Sequence, residues 1–229
     1  MDPAPRRRPG RQARVSRAQV LDAALSIADE DGLAALTMAN VGSRLDVQAM
    51  SLYRHIGNKE EMLDGLVDRV FAEIEVPHDV DDWRAALRRR AVSAREALGR
   101  HPWAIGLMES REQPGPTTLA HHDAMLAILF GAGFTGHEAT RAYNLLDSYI
   151  YGFALQEASL PFSTPEEMAD MSERMLAAMR DTYPNLARVQ RELVGTGFVY
   201  ADEFEAGLDI ILGALPEPRA GRPPDRPGG

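Results

Sequence analysis

Residues 32–63, with the sequence GLAALTMANVGSRLDVQAMSLYRHIGNKEEML, decide the fold of the first part of this chain. Thr37 can cap the start of a short helix. The inward side chains of that helix are Met38, Val41 and Leu45. After a turn at Asp46 and Val47, a second short helix is predicted from about Gln48 to His55. Two helices this short are not stable alone, so they need neighbours to pack against.

The flanking sequence supplies two longer helices. Ser16 followed by Gln19 is a capping box, and an apolar stripe follows it as far as Gly32. The stripe consists of Val20, Ala23, Ala24, Ile27 and Ala28. Asn58 with Glu61 opens another helix, from Lys59 to about Glu75. Its packing face is Met62, Leu63, Leu66 and Val70. We therefore expect four helices to share one small core.

The rest of the chain is also predicted to be helical, because apolar spacings of three and four recur and alternating strand patterns do not. Helices are predicted over 82–100, 102–110, 117–131, about 138–159 after a Thr135–Glu138 capping box, from Thr164-Pro165 onward, and about 199–215. The fold class is therefore all-α.

Composition and pattern together divide the chain into four parts. They are a basic flexible arm (residues 1–15), a helix-turn-helix domain (16–66), a larger helical domain (67–215), and a disordered tail (216–229). The fourth helix joins the two domains.

The charge distribution permits a nucleic-acid partner even though the whole chain carries a net charge of -9. Residues 1–60 hold nine Arg and Lys side chains against seven Asp and Glu, a net charge of +2, which leaves -11 on the remainder. Positive potential is what binding to phosphate needs. The basic arm is expected either to contact DNA or to remain a solvated tail.

Two short helices joined by a tight turn are typical of a helix-turn-helix, in which the second helix enters the major groove. Val47, Leu52 and Ile56 would face inward. The side chains then available to DNA are Thr37, Gln48, Ala49, Met50, Ser51, Tyr53, Arg54, His55 and Lys59. Gln48 and Arg54 suit base edges, whereas Tyr53, His55 and Lys59 suit phosphates. The same spacing also fits a plain helical bundle in which Tyr53 and His55 only pack.

Residues 16–66 closely resemble the DNA-binding domain of the tetracycline-repressor (TetR) family of transcriptional regulators. The resemblance includes the Leu36-Thr37 entry, the Ser51-Leu52-Tyr53-Arg54-His55 segment and Asn58-Lys59. One departure is Asp46, where the family usually has glycine. Aspartate tolerates a left-handed backbone better than most residues, so we expect the turn to form.

This resemblance implies a function. It implies a homodimeric regulator that binds a palindromic operator on double-stranded DNA, most simply a repressor released by a small-molecule effector. The alternatives are a transcriptional activator, and a ligand-binding or protein-interaction module of the same fold that does not bind an operator.

The segment from Trp103 to Gln156 is similar, more faintly, to the effector domain of the tetracycline repressors. Those repressors hold magnesium-tetracycline through a histidine and a glutamate, and Ser110 and Gln156 stand there in this chain. Neither residue is a good magnesium ligand, so no metal chelate is expected. A pocket is predicted from Trp103, Met108, His121, Met125, Asn144, Tyr149 and Gln156.

A dimer interface is predicted on two helices of the larger domain. The helix at 138–159 is apolar on nearly all sides, and the last helix carries an apolar stripe. The predicted interface residues are Tyr143, Ile150, Phe204, Leu208, Ile211 and Leu212. The alternative is that these side chains form the internal core of a monomer.

Several other classes are excluded or disfavoured by the sequence. There is no cysteine, no Gly-rich phosphate loop, no His-Glu-x-x-His motif and no nucleophile elbow, so we expect neither an enzyme nor a cofactor. His121 and His122 are neighbours whose side chains point about 100° apart on a helix, which disfavours a shared metal ion. No membrane span is evident, and we expect a cytoplasmic protein.

Overall fold

The computed structural model describes residues 15–77, 82–162, 164–179, 182–194 and 198–217. Within these ranges the regular elements are ten α-helices and two short 3₁₀ helices, and no described residue forms a strand. The prediction of an all-α chain is confirmed. The predicted arm and tail lie outside the described residues, apart from residues 15, 216 and 217. None of the described helices is both long enough and apolar enough to cross a membrane.

The chain divides into two units, one up to Leu66 and one from Val67. The first unit contains α1 (Arg17–Asp31), α2 (Met38–Arg44), α3 (Ala49–Leu52) and the first part of α4 (Lys59–Ala72). All four elements contribute apolar side chains that are buried. They include Val20, Leu21, Ala24, Ile27, Leu36, Val41, Leu52, Ile56, Met62, Leu63 and Leu66. The core predicted for the four helices is therefore present.

Side-chain caps begin the helices where the sequence predicts them. The Ser16 hydroxyl accepts from the Gln19 N–H at 3.3 Å and the Gln19 side chain accepts from the Ser16 N–H at 2.9 Å, which completes the capping box. Thr37 Oγ1 accepts from the Asn40 N–H at 3.1 Å. These bonds satisfy N–H groups that the first turn of a helix leaves without partners.

Two helices of the first unit are shorter than predicted. The helix expected from Gln48 to His55 is regular only over Ala49–Leu52, and α4 ends at Ala72 rather than near Glu75. The Ser51 N–H donates to the Gln48 carbonyl at 2.8 Å, and the His55 N–H donates to the Leu52 carbonyl at 2.8 Å. These three-residue spacings tighten both ends of α3 into turns.

The second unit contains the rest of α4 and six further helices. They are α5 (Trp83–Arg100), α6 (Pro116–Gly131), α7 (Gly136–Ala158), α8 (Pro165–Met179), α9 (Pro184–Val194) and α10 (Glu203–Ala214), with 3₁₀ helices at Pro102–Ala104 and Tyr200–Asp202. Asp82 caps α5, and the Thr135–Glu138 capping box is formed at the start of α7.

Three predictions in the second unit need correction. The helix predicted over 102–110 is only a 3₁₀ turn followed by further turns, and the last helix begins at Glu203 rather than Val199. Helix α9 was not predicted, although Pro184 at its first position is a helix-start signal. In the two shortened segments, hydrogen bonds of three-residue spacing, such as Leu107 N–H to the Ala104 carbonyl and Asp202 N–H to the Val199 carbonyl, replace the α-helical pattern.

Helices α5 and α7 pack against each other in the centre of the second unit. Small side chains on α5, among them Ala86, Ala91, Ala94 and Ala97, are completely buried and let its neighbours approach closely. Beside them the Arg95 guanidinium lies 5.1 Å from the Phe153 ring centre and 4.9 Å from that of Phe204. This arrangement fixes the end of α7 against α10.

Candidate nucleic-acid interface and effector core

Two residues allow α2 and α3 to meet: Asp46, through its backbone conformation, and Gly42, through its lack of a side chain. Asp46 has a φ of 54°, the left-handed conformation that the sequence analysis expected. Gly42 lies in α2, and a Cβ added to it would stand 2.8 Å from the Val47 carbonyl oxygen and 3.1 Å from the Ala49 nitrogen. The sequence analysis missed Gly42. Only glycine leaves room for the start of α3 to lie this close to α2.

Two apolar side chains anchor α3 to the first unit. Leu52 is completely buried and Ile56 is 1% exposed, as predicted. Val47 is only half-buried, so it contributes less to the core than expected. Because Leu52 and Ile56 point inward, the opposite side of α3 and the turn after it face solvent.

The outward face of α3 carries most of the side chains predicted to contact DNA. Gln48, Met50, Tyr53 and Arg54 are exposed, with Met50 75% and Tyr53 47% accessible. Single exposed apolar side chains are common on protein surfaces, so the grouping of these four side chains on one short segment is the informative feature. Ala49, Ser51 and His55 are half-buried. The face therefore offers hydrogen-bonding, aromatic and thioether groups together.

Local hydrogen bonds already engage some of these groups. The Ser51 hydroxyl donates to the Gln48 carbonyl at 2.7 Å, and Arg54 Nε lies 3.4 Å from the Ser51 carbonyl. Ser51 therefore stabilises the turn of α3, while the Arg54 side chain is exposed.

Thr37 and Lys59 lie at the starts of α2 and α4 and are exposed. Lys59 Nζ donates to the Leu33 carbonyl at 3.4 Å. Helix N-termini favour anions, because their first N–H groups and the helix dipole point outward. Glu60 and Glu61 share the first turn of α4, and Arg17 lies 3.7 Å from the Glu61 carboxylate.

An ion pair fixes the end of α2 to α1. The Arg44 guanidinium donates to both carboxylate oxygens of Glu30, at 2.9 and 2.8 Å, and also contacts the Ser26 hydroxyl. Hydrogen bonds from Arg44 and Ser26 lower the pKa of Glu30 to about 2. Arg44 thus links the end of α2 to α1.

A buried polar cluster occupies the centre of the second unit. The Arg90 side chain is completely buried, and its Nη1 donates to Asp147. Its Nε donates to His121 Nε2 at 3.2 Å, and its Nη2 lies 3.4 Å from the Tyr143 hydroxyl. One guanidinium thereby connects α5, α6 and α7.

Burial controls the ionisation of this cluster. Desolvation opposes the charge on Arg90, but the Asp147 carboxylate outweighs it and raises the pKa of the guanidinium. Burial, with the Arg90 charge and His122 in addition, lowers the pKa of His121 to about 3. Burial also raises the pKa values of Tyr143 and Tyr151. At neutral pH the cluster therefore holds one ion pair and neutral imidazole and phenol groups.

The sequence analysis named His121 and Tyr143 but missed Arg90 and Asp147. A signal was available, because Arg90 falls at helical spacing between Leu87 and Ala94 on the buried face of α5. Asp147 is placed likewise on the buried face of α7. A charged residue at such a position requires a partner, since an unpaired buried charge is very costly.

Family models match both units of the chain. Residues 20–66 match the model for bacterial regulatory proteins of the tetR family, and residues 76–217 match the model for the tetracyclin repressor-like C-terminal domain. The chain belongs to the tetR family. The family consists of ligand-responsive helix-turn-helix transcriptional regulators rather than enzymes, so the expected function and the absence of catalysis hold at this level.

Individual relatives match over most of their length. The HTH-type transcriptional repressor DrrR1 of Streptomyces coeruleorubidus is 34% identical over 86% of this chain and 76% of its own. The Escherichia coli tetracycline repressor of class A from transposon 1721 is also 34% identical, over 87% of this chain and 90% of its own. The Streptomyces coelicolor protein ActR, solved in complex with actinorhodin, has a TM-score of 0.74 and 27% identity and covers 89% of this chain and 97% of its own.

Ser110 and Gln156, which the sequence comparison with the tetracycline repressors singled out, each make a local hydrogen bond in this tetR-family chain. The Ser110 hydroxyl donates to the Leu107 carbonyl at 3.2 Å. The Gln156 side-chain oxygen accepts from the Tyr200 hydroxyl at 2.8 Å. In the described part of the chain, no three His, Cys, Asp or Glu side chains gather where they could hold a metal ion.

The structure separates the predicted pocket residues into two groups. Met108, His121 and Met125 are buried and Trp103 is half-buried, close to the Arg90 cluster or on the segment leading to it. The other three residues lie elsewhere. Asn144 and Gln156 are exposed, and Tyr149 is half-buried with its hydroxyl donating to the Phe204 carbonyl at 2.9 Å.

The structure also places most of the predicted dimer residues inside the chain itself. Ile150, Phe204, Leu208 and Leu212 are at most 3% exposed within one chain, so they have almost no surface left for a partner. Their apolar stripe faces the core of their own unit. Tyr143 and Ile211 are half-buried. The exposed apolar side chains on the same two helices are Leu145, Leu155 and Ile210.

Proposed function

We propose that the protein is a homodimeric repressor that binds a palindromic operator through α3 and releases it when a small organic effector binds the second unit. The observation that carries the proposal is the outward face of α3, held by Leu52 and Ile56 and presenting Gln48, Tyr53 and Arg54 to solvent. A rigid short helix with exposed donors suits the major groove. The repressor role is supported by the similarity to the transcriptional repressor DrrR1.

The residues of the face divide by chemistry. Gln48 and Arg54 have the donor geometry that base edges require. Tyr53 and Thr37 carry hydroxyl donors and Lys59 carries an ammonium group, and both kinds of group suit phosphate oxygens. Met50 offers an apolar contact to a thymine methyl group. We assign specificity to the first pair and general affinity to the second group.

Operator binding is tested by mobility shift with DNA from the region upstream of the gene. Arg54→Ala should weaken binding by about tenfold or more and alter the dependence on salt, because it removes a cation at the DNA surface. Arg174→Ala is the matched control, since Arg174 is exposed on α8. If wild-type protein binds none of this DNA, or if both variants bind equally, the assignment of the face is wrong.

The second copy of the chain is proposed to dock on the exposed apolar side of α7 and α10. Ile210 is 74% exposed and Leu145 is 45% exposed, on two helices that pack against each other. Large exposed aliphatic residues on neighbouring helices are typical of a symmetric interface between identical chains.

This interface is tested by sedimentation of Ile210→Asp, which places a charge in the proposed contact. The variant should be a monomer at concentrations where the wild type is a dimer. It should also lose operator affinity, because a monomer contacts only one half-site of the operator. Val189→Asp is the control, since Val189 is 49% exposed on α9. An Ile210→Asp protein that stays dimeric would place the interface elsewhere.

A further inference from the structure

The Arg90 cluster contains donors and acceptors that the protein leaves unused. A guanidinium only donates hydrogen bonds, so His121 Nε2 must accept the bond from Arg90 Nε. A neutral imidazole with an accepting Nε2 carries its proton on Nδ1. The Nδ1 atom is buried and has no hydrogen-bond partner among the described residues. His121 therefore presents a buried N–H group without an acceptor.

An unused hydrogen-bond acceptor is present in the same cluster. Asp147 Oδ1 accepts from Arg90, while its Oδ2 is buried and has no partner in the described part of the chain. His122 Nε2 is also buried and has no hydrogen-bond partner among the described residues. A buried polar atom without a partner costs about 1–3 kcal/mol, so folded proteins rarely keep several together without a water or a ligand to satisfy them.

Aromatic rings surround these atoms. The Phe71 ring centre lies 5.4 Å from that of His121 and 5.3 Å from that of His122, and the Tyr143 ring centre lies 5.4 Å from that of His122. Flat surfaces of this kind pack well against a flat ligand. The walls of the cluster thus favour an aromatic molecule.

The cluster approaches the surface at the turn that follows Ala104. The Tyr151 hydroxyl donates to a carboxylate oxygen of Glu109 at 3.1 Å, and Glu109 is exposed. Met108, in the same turn, is buried. The segment that contains Met108 and Glu109 has no regular helix after the 3₁₀ turn.

We propose that the cluster recognises an uncharged aromatic effector through a hydroxyl group that accepts from His121 Nδ1–H and donates to Asp147 Oδ2. The proposal rests on the proposed function, because it names the class of effector that the second unit takes. Arg90 and Asp147 already neutralise each other, so a charged ligand would bring an uncompensated charge into a buried site. A ligand with the same rings and no hydroxyl would leave both protein groups unpaired.

The test compares three probes of nearly equal size: 2-naphthol, 2-fluoronaphthalene and 2-naphthoate. Dissociation constants are measured by ligand-detected NMR and calorimetry on the full-length chain. We expect 2-naphthol to bind about ten- to hundredfold more tightly than 2-fluoronaphthalene, and 2-naphthoate to bind most weakly. Equal affinity for 2-naphthol and 2-fluoronaphthalene, or tightest binding of the anion, would overturn the proposal.

The variant His121→Met removes the unused donor and keeps a thioether sulfur as a weak acceptor for Arg90 Nε. It should lose most of the preference for 2-naphthol over 2-fluoronaphthalene. His137→Met is the matched control, since His137 is exposed on α7, and it should keep the full preference. If His121→Met keeps that preference, the hydroxyl is bound elsewhere.

Side-chain ¹⁵N spectra of the wild type supply a readout that needs no variant. His121 should be a neutral Nδ1–H tautomer, and 2-naphthol should shift its Nδ1–H resonance whereas 2-fluoronaphthalene should not. An unchanged resonance under saturating 2-naphthol refutes the contact. Mobility shifts run in parallel keep the two hypotheses separate: operator binding with no hydroxyl preference refutes only the effector class, while absence of operator binding refutes the function.

Discussion

Acidification should destabilise the protein through His121, and the size of the effect follows from its burial. The ordinary pKa of histidine is about 6.5, and the pKa of His121 in the folded chain is about 3. Between these values the unfolded chain binds more protons than the folded one, so the free energy of unfolding falls as the pH falls. From pH 7 to pH 5 the loss is about 2 kcal/mol. The contribution of neutral His121 to the free energy of unfolding is complete above about pH 6.5 and is lost progressively down to about pH 3.

The assay is urea unfolding at pH 7 and pH 5, at one protein concentration because a dimer's stability depends on it. His121→Gln should lose about 2 kcal/mol less than the wild type on this change, since glutamine does not titrate. Arg90, His122 and Asp147 remain in the variant, so their contributions largely cancel in the comparison. His137→Gln should behave as the wild type. An equal loss in wild type and His121→Gln would mean that His121 is protonated normally in the fold.

Three further predictions concern the first unit. Gly42→Ala should lower the free energy of unfolding by about 2 kcal/mol, because the new Cβ would press on backbone atoms at the start of α3. The control Gly99→Ala has open space at its Cβ and should be neutral or stabilising. Equal effects of the two variants in thermal unfolding would contradict the close approach of α3 to Gly42. Asp46→Val should cost about 1–2 kcal/mol while Asp46→Gly retains stability, since β-branched residues avoid the left-handed region; chemical denaturation tests the order of the two. NMR titration should place the pKa of Glu30 at about 2, and stability should fall as the pH drops below about 4.5; Arg44→Ala should return the pKa to its ordinary range, and a pKa that does not respond would disprove the pairing.

The local signals of the sequence predicted the first unit well. Ser16, Thr37 and Asn58 begin helices because their side chains accept from nearby N–H groups, an interaction that depends only on neighbouring residues. The turn at Asp46 is predicted from the position of the two short helices, and aspartate tolerates the left-handed backbone found there. Gly42 was missed because its role depends on how closely two helices pack, which periodicity does not encode.

The second unit was harder to predict, because there the face of a helix decides the role of each side chain. An apolar stripe on the last helix indicates burial but not against what, and Phe204, Leu208 and Leu212 proved to face the core of their own chain. Arg90 and Asp147 illustrate the same ambiguity, because helical spacing places each on an apolar face but only the packing of α5 against α7 identifies them as partners. Composition alone gives no warning of an ion pair in the core.

The Arg90–Asp147 pair also bears on how the protein would respond to engineering. Charges removed from water gain little net stability, and well-packed apolar residues of similar volume often stabilise a core as well or better. A search for thermostable forms would therefore select against this pair, for example through a double replacement of Arg90→Met and Asp147→Leu. Such a form would keep its DNA-binding face intact while losing the groups proposed to detect the effector. Selection for stability alone would thus produce a repressor that no longer responds to its signal.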